Sequence, residues 1–298
     1  MGATVANQSG TPSPRPRGVA ISCRGVTAGY LGSQVLKDIS FEIREPAVYV
    51  VLGPNGAGKI TLFRTLAGIL QPYSGGVYID GQPIDRQQSR DHVHFLTHMD
   101  GMPDGLLVRE ALDFYARAER ATPADVERVM DTLGIRELGD KYLSQLSAGQ
   151  KKRASIARVF LRDREVYLLD EPTTSLDPGA AREIRSRILE LSRDRIVLYS
   201  SHNLFEAREI GNYVLLIRNG RLALFDQLRN LRALRFTIGV RLLEPSAELA
   251  GWAREGDFFL RELSGPEAVP DLLSDLVKRG IKVREVREMD NPLEELFE

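Results

Sequence analysis

Short, almost unbroken apolar runs punctuate the chain at residues 48–52, 166–169, 196–199 and 214–217. Each has the length of a strand and is rich in Val, Ile, Leu and Tyr, the composition of strands buried on both faces. Between them, apolar positions recur every three or four residues at 107–117, 124–133 and 179–191, the spacing of amphipathic helices. Strands alternating with helices predict an α/β core with a mainly parallel sheet. No internal repeat is visible.

The pattern changes near residue 232: strands are expected at 236–242, 257–261 and 281–286, a helix at 267–278 and a closing helical turn at 292–297. This β-β-α-β order predicts a small α+β domain at 232–298, too short to bury a large core of its own. Residues 1–18 are rich in Pro, Ser, Gly and Thr and lack an apolar stretch, so they read as a disordered tail and not a signal peptide. Residues 19–231 then form the main domain.

Composition narrows the choice of partners. The 298 residues are 43% hydrophobic, with 40 Lys+Arg against 41 Asp+Glu. A balance so even argues against nucleic acid as the default partner. The single Cys23 excludes an internal disulfide and fits a reducing, cytoplasmic compartment. No run approaches the ~20 apolar residues that cross a bilayer. Any membrane-spanning partner is therefore expected on a separate polypeptide.

The junction after the first buried strand carries chemistry. Gly53-Pro54-Asn55-Gly56-Ala57-Gly58-Lys59 lies between that strand and a helical run at 61–67, the context a phosphate-binding loop requires. Bare glycines let successive N–H groups point at phosphate oxygens, the helix N-terminus adds positive potential, and Lys59 adds a full charge. The next position departs from the motif. Ile60 stands where a Ser or Thr hydroxyl would coordinate Mg²⁺, an ion that takes oxygen ligands. Thr61 lies about 100° further round the helix, so its side chain is expected to face elsewhere.

A second apolar strand ends in Asp170-Glu171. The first acid suits Mg²⁺, directly or through water, and the second suits polarisation of an attacking water. Ser147-Ala148-Gly149-Gln150 opens another helix, with Ser147 as N-cap. Its free N–H groups form an anion site, or simply a capped helix end.

Together these motifs resemble the nucleotide-binding domain of ABC ATPases, over roughly residues 19–231. The resemblance implies a P-loop fold with a mainly parallel sheet, an antiparallel β subdomain and a helical subdomain, and it implies ATP with Mg²⁺. It implies that Leu146-Ser147-Ala148-Gly149-Gln150 of one subunit closes over ATP held by another. Tyr30 resembles the aromatic that stacks on adenine, and Ser175-Leu176-Asp177, with Asp177, resembles the loop that communicates between two sites. His202 resembles the histidine that contacts the γ-phosphate. His98 falls where the family has a Gln that ligates the metal, and imidazole suits Mg²⁺ poorly. Ala148 replaces a signature glycine.

His92 and His94 are expected to alternate on one face of a partly solvated strand edge, without a transition-metal role. The end of the chain, Asn291-Pro292-Leu293-Glu294-Glu295-Leu296-Phe297, resembles that of drug- and polysaccharide-exporter ATPases. The implied function is the motor subunit of an exporter, peripheral on the inner face of the membrane. It would pair with a second ATPase subunit and a multispanning membrane subunit, which residues 99–117 would meet. The alternatives are a soluble ABC ATPase, of the iron–sulfur assembly type for example, and a regulatory subunit that does not hydrolyse ATP.

Overall fold

The computed structural model describes residues 20–85, 89, 91–97, 101–230, 236–243, 249, 251–263 and 268–289. The tail at 1–18, His98 and the closing turn at 292–297 lie outside the described residues.

Strands β1 (Ile21–Tyr30) and β2 (Ser33–Ile43) form a hairpin, followed by β3 (Ala47–Leu52) and helix α1 (Lys59–Leu66). Strands β4 (Ser74–Ile79), β5 (Gln82–Pro83) and β6 (Val93–Leu96) come next. Helices α2 (Val108–Glu119), α3 (Pro123–Thr132) and α4 (Ala148–Val159) lead to β7 (Val166–Asp170). The main domain closes with α5 (Pro178–Leu191), β8 (Ile196–Ser200), α6 (Leu204–Ile210), β9 (Tyr213–Arg218) and β10 (Arg221–Gln227).

A six-stranded sheet in the order β10-β9-β3-β8-β7-β6 is parallel except for β10. An antiparallel sheet in the order β2-β1-β4-β5 packs beside it. The expected α/β P-loop architecture is therefore present.

The alternation of side chains along a strand decides what each sheet face buries. Val48, Val50 and Leu52 of β3 join a core with Leu112 of α2, Val129 of α3, Ile156 of α4 and Ile184 of α5. Tyr49 and Val51 face the other way, into a core with Leu62 and Phe63 of α1 and Ile21 and Ile43 of the antiparallel sheet. Both faces of β3 are covered, which is why its sequence is apolar throughout.

The last region forms β11 (Phe236–Leu242), β12 (Ala253–Glu255), β13 (Phe258–Leu263), α7 (Val269–Lys278) and β14 (Val283–Glu288). They make an antiparallel sheet in the order β12-β13-β11-β14, with Ile238, Val240, Phe259 and Leu276 in a core of its own. The expected β-β-α-β order needs one correction, because β12 was not foreseen. It pairs with β13 across the two-residue turn Gly256-Asp257, where Gly256 has φ +57°. All three β12 residues are exposed, so no apolar alternation marks them.

Candidate functional site

The glycine-rich loop leaves the fully buried strand β3 and enters α1 at Lys59. Gly58 is the N-cap with φ +112°, and no side chain caps the helix, so its first N–H groups point into the loop. A Cβ on Gly53 would come within 2.4 Å of the Ile217 carbonyl, and one on Gly58 within 2.8 Å of Leu36 Cδ2. Gly56 has φ +81° and open space around it. Gly53 is needed by packing as well as by conformation, whereas Gly58 meets only the end of the Leu36 side chain and Gly56 nothing, so these two are needed chiefly by conformation.

Lys59 is 8% exposed, and its Nζ donates to the carbonyls of Gly53 at 2.5 Å and Pro54 at 3.2 Å. Burial lowers its pKa, while the nearby charges of Glu171 and Asp170 act in the opposite sense. A desolvated ammonium facing two carboxylates suits a site where negative charge is to be bound.

β8 lies between β3 and β7, so its C-terminal end brings Ser200 and His202 between the loop and the acids. Ser200 Oγ donates to Asp170 Oδ1 at 2.6 Å and accepts the Glu171 N–H at 3.0 Å. Glu171 has φ +46°, a left-handed conformation that costs a non-glycine residue roughly 1 kcal/mol or more. Thr174 Oγ1 donates to its Oε2 at 3.2 Å, and His202 Nδ1 lies 3.1 Å from its Oε1.

Pro54, Asn55, Gly56, Gly58, Lys59, Ile60, Thr61, Asp170, Glu171 and His202 line one cavity of about 590 Å³, with Val35 on its rim. Ten of the candidate residues, from three separate segments of the chain, thus share one space. Gly53 and Ala57 shape the loop from beneath, and Ala57 is buried. Thr61 is buried and also borders the cavity. Ile60 presents an apolar side chain to the cavity and is 36% exposed.

Tyr30, Ser147, Gly149, Gln150 and Asp177 do not line this cavity. Tyr30 ends β1, 38% exposed, and its hydroxyl accepts from Arg64 at 2.9 Å. Ser147 caps α4 reciprocally: its Oγ accepts the Gln150 N–H at 3.3 Å, and Gln150 Oε1 accepts the Ser147 N–H at 3.1 Å. Asp177 caps α5 by accepting the Ala180 N–H at 2.9 Å. A Cβ on Gly149 would stand 3.1 Å from the Ser175 carbonyl, so the α4 N-terminus abuts the 171–177 turn of its own chain.

His94 needs a correction. It sits on the edge strand β6 but is 7% exposed, with its ring 5.4 Å from that of Tyr167, centroid to centroid. Its Nε2–H donates to the Arg162 carbonyl at 2.7 Å, and burial pushes its pKa down to about 4. His92 precedes the strand and approaches Glu165 at 3.3 Å, so the two histidines do not share a strand face.

The bare loop, the helix N-terminus and Lys59 fit a polyphosphate. Mg²⁺ fits only in part: Asp170 offers a carboxylate, but Ile60, which also lines the cavity, has no oxygen on its side chain.

The family model described as ABC transporter matches residues 36–174. A Bacillus subtilis protein described as an uncharacterized ABC transporter ATP-binding protein, YxlF, is 27% identical over 93% of this chain and 98% of its own length. The Nod factor export ATP-binding protein I of Rhizobium johnstonii is 32% identical over 72% of this chain and 70% of its own. Import ATP-binding proteins match as well, for sulfate/thiosulfate in Synechococcus elongatus (30% identical, 70% of this chain and 62% of the relative) and for phosphonates in Halobacterium salinarum (31%, 70% and 79%). Among solved structures, cbiO1 from Clostridium perfringens, part of the cbiONQ transporter complex, is similar with a TM-score of 0.62 at 28% identity, covering 70% of this chain and 89% of that one.

Proposed function

The chain belongs to the ABC transporter ATP-binding proteins, and from that premise we propose that it is the ATP-hydrolysing motor subunit of an exporter. The observation that carries the ATPase reading is the shared cavity, in which the loop and Lys59 face Asp170, Glu171 and His202. In this reading the loop and Lys59 hold the phosphates of ATP, Glu171 polarises the attacking water, and His202 contacts the γ-phosphate. Mg²⁺, when bound, would supply charge neutralisation on the phosphates, with Asp170 its ligand from this chain.

Two copies, or this chain with a second ATPase subunit, would close the site. Ser147, Gly149 and Gln150 lie outside their own chain's cavity, which leaves them to cover a partner's. Tyr30 would stack on adenine, and Asp177 would speak to the opposite site. We read residues 19–231 as the ATPase domain and 232–298 as an accessory domain. The export direction rests on that accessory domain and on the ending Asn291 to Phe297.

No helix among the described residues is long and apolar enough to cross a membrane. The reading therefore calls for a multispanning partner on another chain, met by residues 99–117 at the inner face of the membrane. Affinity purification from native membranes tests it: a multispanning protein is expected to accompany the chain, with ATPase activity lost in Glu171→Gln. Recovery of the chain in a soluble complex alone would overturn the transport reading.

Ile60 favours one refinement, that this site turns over slowly with Mg²⁺. The sequence adds His98 at a second position expected to hold the same metal.

A further inference from the structure

We propose that Glu206 is a positioning residue that locks the turn carrying Glu171 to the turn carrying His202. The proposal rests on the reading of those two as the reacting pair. Glu206 lies on the short helix α6, and its side chain is 18% exposed.

Three hydroxyls converge on this one carboxylate. Thr173 Oγ1 donates to Oε1 at 2.7 Å, while Ser201 Oγ at 2.9 Å and Tyr199 OH at 3.1 Å donate to Oε2. Thr173 comes from the turn that begins at Glu171, and Ser201 immediately precedes His202. Tyr199 is fully buried in β8 and anchors the cluster to the central sheet. The Thr173 and Tyr199 hydroxyls lie 2.8 Å apart. Arg185 of α5, the helix that Asp177 caps, brings Nη1 to 3.7 Å from Oε1.

A carboxylate suits this place for a chemical reason. It offers about four acceptor sites and no proton, so it can satisfy several hydroxyl donors and a guanidinium at once. Glutamine would keep the shape but turn an NH₂ toward one of those donors. The Ser201 hydroxyl also accepts the Asn203 N–H at 2.9 Å, which closes a tight turn around His202. On the other side, Glu171 holds φ +46°. Such a conformation persists only where its surroundings over-determine it. Ser200 fixes that turn from upstream, and Thr173 on Glu206 fixes it from downstream.

The test compares the full-length wild type with Glu206→Gln, Thr173→Val and Ser201→Ala; the last two each remove a single donor and serve if the first fails to fold. Amide hydrogen exchange is expected to accelerate together at residues 171–176 and 201–203 in every variant that folds. In steady-state assays kcat should fall about tenfold or more, with KM for ATP within about twofold. Exchange changes confined to α6, or an unchanged kcat, would overturn the proposal. Glu171→Gln is the control: if the wild type hydrolyses ATP no faster than this variant, the reading of the reacting pair fails. The exchange at the two turns then decides the role of Glu206 by itself.

Discussion

His202 Nδ1 stands 3.1 Å from Glu171 Oε1, a contact between two turns that follow different strands of the parallel sheet. The pair borders the same cavity as Lys59, whose ammonium sits at the start of α1. A carboxylate held by a histidine on one side and by the Thr174 hydroxyl on the other is fixed in place, which suits the base role proposed for Glu171.

That arrangement predicts a separation of binding from turnover. Glu171→Gln is expected to bind ATP as tightly as the wild type while phosphate release falls about 100-fold or more, the scale of removing a general base. Equal rates in the two proteins would remove Glu171 from the chemistry. Nucleotide affinity measured beside the rate distinguishes this from misfolding.

The apolar Ile60 predicts a gain on substitution. Ile60→Ser combined with His98→Gln is expected to raise Mg²⁺-dependent hydrolysis severalfold and to make ATP affinity more sensitive to chelation of the metal. Steady-state ATPase and nucleotide titration with and without a chelator measure both. No increase in rate would show that these two positions do not limit turnover.

The loop glycines should fail for different reasons. Gly53→Ala drives a Cβ to 2.4 Å from the Ile217 carbonyl, so thermal stability and ATP binding are expected to fall together. Gly56→Ala meets open space at φ +81°, so its stability loss should stay near about 1 kcal/mol, the left-handed cost. Equal melting temperatures for the two variants would contradict this account of the packing.

His94 should make stability depend on pH. Its folded pKa is lowered to about 4, below the ordinary value of 6.5, so the unfolded chain takes up a proton first as the medium is acidified. The stability due to the neutral ring is present above about pH 6.5 and is lost as pH falls toward about 4, by an amount on the order of 3 kcal/mol at most. His94→Gln keeps a donor for the Arg162 carbonyl and removes the titration. Urea unfolding at several pH values should show a shallower acid loss for the variant, and identical slopes would sink the assignment.

Much of the fold is legible in the sequence because burial on both faces leaves a local trace. The run Val48-Tyr49-Val50-Val51-Leu52 reads as a strand without reference to any neighbour, and β3 spans Ala47–Leu52. β12 left no trace, because it is exposed and takes its place by pairing with β13. His94 misled because an edge strand is exposed only if nothing packs on it, and here α4 packs against β6.

The phosphate loop was determined by the sequence alone. Its chemistry is made by contiguous backbone, and seven consecutive residues are enough to specify a glycine turn, a lysine and a helix start. The same holds for the reciprocal cap of Ser147 and Gln150, which closes within one turn of helix. What only the tertiary structure decided is how separated segments meet. The sheet order puts β8 between β3 and β7, and so sets Ser200 against Asp170 and His202 against Glu171. The bond from Thr173 to Glu206 is of the same kind. Hydrogen bonds between residues some thirty positions apart depend on strand order and register, which no local pattern of residues encodes.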